Sequence, residues 1–159
     1  MNAYTPLRPA GTTVRWLDSV YTIQLGPAET GGAVGMFAAI VQPDAGPPRH
    51  IHRNEDEIIH VIEGEVTFWL EGQILARRGG DTVFIPRGKE HAFHVTGAEP
   101  ARFVTVVTPG GFESFFARAA EAGLQPQRHR AELDALAAAY GCVFTGPPLR
   151  VGTPAAAGA

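Results

Sequence analysis

The 159-residue chain has one cysteine, Cys142, so no disulfide can close within it and a reducing compartment is expected. Long apolar runs are also missing. No stretch approaches the ~20 residues of a membrane-spanning helix, and the opening "MNAYTPLRPAGTTVRW" has no apolar core of a signal peptide. Both absences lead to the expectation of a cytoplasmic protein without a membrane partner. Positive charge is not in excess: the formal charge is −3 and the pI near 6.0, which leaves no electrostatic footprint for nucleic acid. Ser19 and Ser114 are the two serines, and neither sits in a GxSxG setting, which speaks against a hydrolase triad. The glycines of "TGGAVG" precede an apolar, strand-like run instead of a helix, so they fail the structural test of a dinucleotide-binding loop.

What is present is a series of short β-prone runs: "VYTIQL", "GMFAAIVQP", "EIIHVI", "EVTFWLEGQILARR", "DTVFIP", "HAFHV" and "ARFVTVVTP". They are rich in Val, Ile, Phe and Thr and are separated by Gly, Pro and Asp, the signature of a sandwich or barrel. Glu71-Gly72 lies at the bend of a hairpin, with Gly72 available for a positive φ. After Pro109 the composition turns to alanine, leucine and charge at helical spacing. "FESFFARAAEAGL" and "AELDALAAAY" predict two short helices, the second stopped by Gly141. The expected organisation is one mainly-β domain over 1–110 including its N-terminal strands, a helical segment over 111–145 packed on it, and a loose tail over 146–159.

The segment "PPRHIHRNEDEIIHVIEGEV", from Pro47 to Val66, holds three of the six histidines. On a strand His50 and His52 would point to one side, roughly 6.5–7 Å apart, close enough to lean toward one ion. Glu57 follows a polar elbow, and a short connection with an antiparallel return would bring it beside them. In "GDTVFIPRGKEHAFHV", Gly80, Pro86 and Gly88 punctuate a strand and a tight turn that deliver His91 to the same interior. By alternation His60 and His94 fall on the opposite faces from Glu57 and His91 and are given no ligand role. His129 reads as surface and Cys142 as core filling.

These two segments resemble the paired motifs of the cupin superfamily. The first reads His50-x-His52, four residues, Glu57, six residues, Gly64; the second reads Gly80, five residues, Pro86, x, Gly88, two residues, His91. Two positions depart from the family pattern. The leading glycine falls at Gly46 instead of position 44, and Val95 stands where the family has asparagine. Neither is a ligand position, although loss of a polar group at 95 is expected to alter the tuning of the site. "TGGAVGMF" and "PGGFESFF" are similar to single-domain cupins of the quercetin dioxygenase type.

The resemblance implies a cupin-type (double-stranded β-helix, jelly-roll) barrel holding one divalent transition metal ion by His50, His52, Glu57 and His91. The donor set suits Fe, Ni, Mn, Co, Cu or Zn and not a calcium-type site. Strand parity gives apolar pocket walls from Ile59 and Phe93, with Phe68 or Trp69 depending on how the turn at Gly64 resets the register. Phe112 and Phe116 either cap the barrel mouth or dock the helix. The resemblance further implies a metal-dependent dioxygenase that uses O2 on a flavonol-like, aromatic or enolic small molecule, with Glu57 as base. The alternatives are a non-oxidative cyclase, isomerase or lyase, and a small-molecule-binding protein. A homodimer is expected, with "TTVRWLDSVYTIQL" as an edge or exchanged strand.

Overall fold

The computed structural model describes residues 11–151; the expected barrel residues 1–10 and tail residues 152–159 lie outside them. In chain order the elements are β1 (Thr12–Trp16), β2 (Ser19–Leu25), a single helical turn α1 (Pro27–Thr30), β3 (Gly35–Val41), β4 (Pro48–His52), β5 (Asp56–Glu63), β6 (Glu65–Leu70) and β7 (Gln73–Arg78). There follow β8 (Thr82–Ile85), β9 (His91–Val95), β10 (Ala101–Thr108), α2 (Ser114–Glu121), α3 (Arg130–Ala139) and β11 (Cys142–Pro148). The strands form two antiparallel sheets, β1-β2-β3-β10-β5-β8 and β11-β4-β9-β6-β7. No helix among the described residues is long and apolar enough to cross a membrane.

Alternation builds the interior. On β5, Glu57, Ile59 and Val61 are buried while Ile58, His60 and Ile62 face outward. Ala39, Val61, Val83 and Phe103 of the first sheet meet Val66, Phe68 and Val95 of the second in one apolar core. The hairpin between β6 and β7 turns in two residues, Glu71 at φ 48° and Gly72 at φ 88°. Positive φ at both central positions is the geometry that matches the twist of the flanking strands. Glu71 tolerates it while its carboxylate accepts the Glu90 N–H at 2.7 Å. Gly64, at φ 92°, makes the turn from β5 to β6.

The two helices form where the sequence predicts them, and Gly141 follows α3 at φ 72°. Phe115, Ala119, Leu133, Ala137 and Cys142 make a second apolar cluster that docks the helices on the barrel. Three local expectations are corrected. Residues 142–148 are not the end of a helical segment and the start of a tail: β11 pairs with β4, Cys142 opposite His52 and Phe144 opposite His50. Phe112 precedes α2 instead of riding on it. Finally, β5 is no antiparallel return beside β4. The elbow at 53–55 carries the chain to the opposite sheet, so Glu57 faces the histidines across the interior.

Candidate metal centre

Five elements place the four side chains. His50 and His52 occupy alternate, inward positions of β4, and His91 opens β9 directly opposite His50. Glu57 projects from β5, held between Ile85 of β8 and Val107 of β10. The Pro86–Gly88 turn is fixed from two sides. Arg87 binds Asp56 through its backbone N–H at 2.8 Å and its guanidinium at 3.0–3.1 Å, and Gly88 N–H donates to His52 O at 2.7 Å. One donor atom from each of His50, His52, Glu57 and His91 lies within 4.8 Å of all the others, and all four residues are buried. The structure therefore brings together the four residues singled out as ligands.

Local hydrogen bonds aim the rings. His50 Nδ1 meets Pro48 O at 2.7 Å and His91 Nδ1 meets Lys89 O at 2.9 Å, which turns each Nε2 toward the centre. His91 Nε2 is 3.0 Å from Glu57 Oε2, and His52 Nε2 is 3.9 Å from the same oxygen. Both nitrogens of His52 are buried without a hydrogen-bond partner among the described residues. Desolvated, partnerless donors of this kind carry a cost that an ion would remove. Three imidazoles and one carboxylate fit a divalent transition ion and could hold one.

The charges respond to the crowding. Burial, reinforced by His91 and His52, holds His50 well below its ordinary pKa. Burial pushes the Glu57 carboxyl up, but the His91 hydrogen bond and the three imidazoles outweigh it and lower the pKa to about 2. For His91, burial works against the proton and the Glu57 contact wins, so its pKa is raised. Burial, with Glu57 and Glu55 nearby, pushes the Cys142 thiol up to about 12; it is core filling and no nucleophile.

The residues assigned to a pocket separate into two sets. Ile59, Phe68 and Phe93 belong to the apolar core of the barrel, with Phe93 and Phe68 rings 5.8 Å apart. Phe112 stands edge-on to the His52 ring at 4.2 Å, and Phe116 stacks on Tyr21 at 3.9 Å. An open groove of about 750 Å3 between the two helices, lined by Arg118, Leu124 and Leu136 among others, borders none of the four donors. His60 is exposed on the outer face, as alternation requires. His94 also lies on the outer face of β9 but is buried there, its Nε2 2.8 Å from Asp44 Oδ1.

Two further buried acids, Glu55 and Glu113, belong to no motif in the sequence. Glu55 Oε2 lies 3.6 Å from His52 Nδ1. Glu113 is fully buried, accepts the Gly111 N–H at 2.7 Å and fills the space above Gly35, where a Cβ would collide with its carboxylate and with Val107. It thereby anchors the corner that carries Phe112 against His52. The buried acids are hard to find beforehand because an acid in an elbow or before a helix is ordinarily solvated.

The two motif departures have structural answers. Asp44 occupies the expected glycine position at φ 61°, a left-handed conformation that Asp tolerates better than most residues. Gly46 is needed for a different reason: a Cβ there would strike Phe93 O. Val95 faces Val66 in the apolar core. It is four residues along β9 from His91, roughly 13 Å at strand rise, so its side chain is not a neighbour of the ligands and the expected tuning effect is corrected.

The fold and this cluster define a class: a two-sheet β-barrel with three histidines and a glutamate gathered inside it. Residues 37–107 match the Cupin domain family, a span that contains all four donors. The fold and this match support a place in the cupin superfamily. Polyketide synthase CurC of Streptomyces cyaneus is 30% identical over 104 residues, 65% of this chain and 64% of that protein. Quercetin 2,3-dioxygenase of Bacillus subtilis is 31% identical over 67 residues, 42% of this chain and 20% of that protein. Among solved structures, a predicted oxalate decarboxylase from Thermotoga maritima superposes with a TM-score of 0.57 at 19% identity, over 63% of this chain and 92% of that one. The chain thus spans just under two thirds of CurC and a fifth of the dioxygenase.

Proposed function

We propose that the chain is a mononuclear metal-dependent cupin enzyme in which Glu57 takes a proton from an enolic or phenolic small molecule. The observation that carries this reading is the buried ring of His50, His52, Glu57 and His91, with a single carboxylate among its donors. A divalent transition ion held by these four residues would supply Lewis acidity toward a substrate oxygen. The chain's own part is proton transfer and positioning. At neutral pH Glu57 is ionised, the form that accepts a proton, and a substrate oxyanion beside it would raise its basicity by like-charge repulsion. Its Oε2 faces His91 and His52, leaving the other oxygen for the substrate's proton. Phe112, edge-on to the His52 ring, covers that imidazole and keeps water from it.

After proton removal two outcomes share the same machinery. The likeness to a polyketide synthase protein along most of both chains favours ring closure or isomerisation of a polyketide-like substrate without O2. The shorter likeness to quercetin dioxygenase favours a second reading, cleavage of a flavonol-like substrate with O2. The proposal includes a homodimer. β1 ends the six-stranded sheet, and the outer face of that sheet exposes Ile58 and Phe84 side by side.

The test is oxygen uptake measured together with substrate loss. Protein stripped of metal is reloaded separately with Fe(II), Mn(II), Co(II), Ni(II) and Zn(II) and offered a flavonol, a simple enol and an aromatic poly-β-ketone. Substrate loss without uptake supports the cyclase or isomerase reading; uptake matched to loss supports the dioxygenase. Binding without turnover in every metal form contradicts the enzyme reading and leaves a small-molecule-binding protein. In the active form, Glu57→Gln is expected to retain metal and lose activity by on the order of 10²–10⁴-fold. Full turnover in that variant removes Glu57 as the base.

A further inference from the structure

The three imidazoles of the cluster are not equivalent. His50 and His91 follow one rule: each Nδ1 meets the backbone carbonyl two residues earlier, Pro48 O and Lys89 O. These neutral acceptors lock each ring with its proton on Nδ1. His52 breaks the rule. Its Nδ1 has no hydrogen-bond partner among the described residues and faces Glu55 Oε2 at 3.6 Å. That oxygen is likewise buried and without a hydrogen-bond partner. Two unpartnered polar atoms of opposite character, each desolvated and each facing the other, are under about an ångström from a charge-assisted hydrogen bond.

We infer that Glu55 is the positioning residue of the metal centre. Its carboxylate accepts a hydrogen bond from His52 Nδ1–H, fixes the Nδ1–H tautomer so that the Nε2 lone pair is left for the ion, and makes His52 a stronger ligand than its two neighbours. The inference deepens the metal reading above and rests on it. A carboxylate behind one ligand fixes the ring's orientation and raises its basicity toward an ion. The local chain is built to hold this arrangement. Arg53 N–H donates to Gly141 O at 2.9 Å, and Gly88 N–H donates to His52 O at 2.7 Å. With Asp56, the first residue of β5, clamped by Arg87, both ends of the elbow 53–55 are tied and Glu55 is turned inward. A buried carboxylate at the tip of a polar elbow has a desolvation cost that a structural loop would avoid; the partner it faces is His52.

The test compares the full chain with Glu55→Gln and with Glu55→Asp as the charge-keeping control. Co(II) affinity is measured by chelator competition, the Co(II) absorption bands are recorded, and the tautomers of the metal-free histidines are read from their ring ¹⁵N shifts. The expected result is one Co(II) per wild-type chain, binding weakened about 10–100-fold in Glu55→Gln with shifted bands, and recovery of most of that loss in Glu55→Asp. In the metal-free wild type His52 should show a single Nδ1–H tautomer that becomes a mixture in Glu55→Gln, while His50 and His91 stay unchanged. A denaturant midpoint measured on each metal-free variant separates this from a folding defect, which would move all three rings together. Equal Co(II) affinity in wild type and Glu55→Gln overturns the role of Glu55 alone. A wild-type chain that binds no Co(II) overturns the metal reading and the inference with it.

Discussion

Glu57 stands between opposing forces. Burial drives its carboxyl toward the neutral form and the imidazoles drive it toward the charged one, and the imidazoles win. With a pKa of about 2 in the folded chain, below its ordinary 4.5, this group contributes stability above pH 4.5 that is lost as pH falls toward about 2. Denaturant midpoints of the metal-free protein should therefore fall across that window, and Glu57→Gln should flatten the fall; an identical slope in the variant would contradict this account of the charge balance. Gly35 is constrained by packing, since any side chain there meets the Glu113 carboxylate and Val107. Gly35→Ala is expected to destabilise the chain by about 1–3 kcal/mol, read as a lowered midpoint. The ligand quartet was legible in the sequence because His-x-His and the Gly/Pro punctuation are local signals. Glu55 and Glu113 were not, because burial of an acid depends on what folds over it.

β11 shows how an element remote in sequence completes the site. Its residues, "CVFTGPP", carry glycine and two prolines that mask a strand, and its pairing with β4 is continuous only from Cys142 to Phe144. An edge strand tolerates such residues, which is why the sequence read as helix end and tail. Gly141 immediately precedes the strand; its φ of 72° strains any side chain, and a Cβ there would push against the end of the Asn54 side chain. Gly141→Ala should cost on the order of 1–3 kcal/mol from the backbone conformation alone. Because Arg53 is bonded to Gly141 O, the same variant should also weaken metal binding. A calorimetric titration showing unchanged metal affinity in a folded Gly141→Ala chain would break the link between β11 and the elbow. The inward parity of β5 and β9 is legible from alternation. The crossing from β4 to the opposite sheet is not, since a three-residue polar elbow is compatible with either path.

The whole molecule places the cluster between two sheets and covers one end with two helices, leaving an apolar outer face on the six-stranded sheet. Sedimentation at micromolar concentration should show a dimer, and Ile58→Lys with Phe84→Lys should shift it toward monomer; a wild-type monomer throughout would contradict the proposed pairing. The proposed function depends on the four donors holding an ion. The most direct measurement is the metal content of the purified chain and of a His52→Ala, His91→Ala variant, after both are incubated with a mixture of divalent transition ions and desalted. The account predicts one ion per wild-type chain and its loss from the variant while the barrel stays folded. A folded wild-type chain that emerges without metal, or a variant that keeps it, would contradict it.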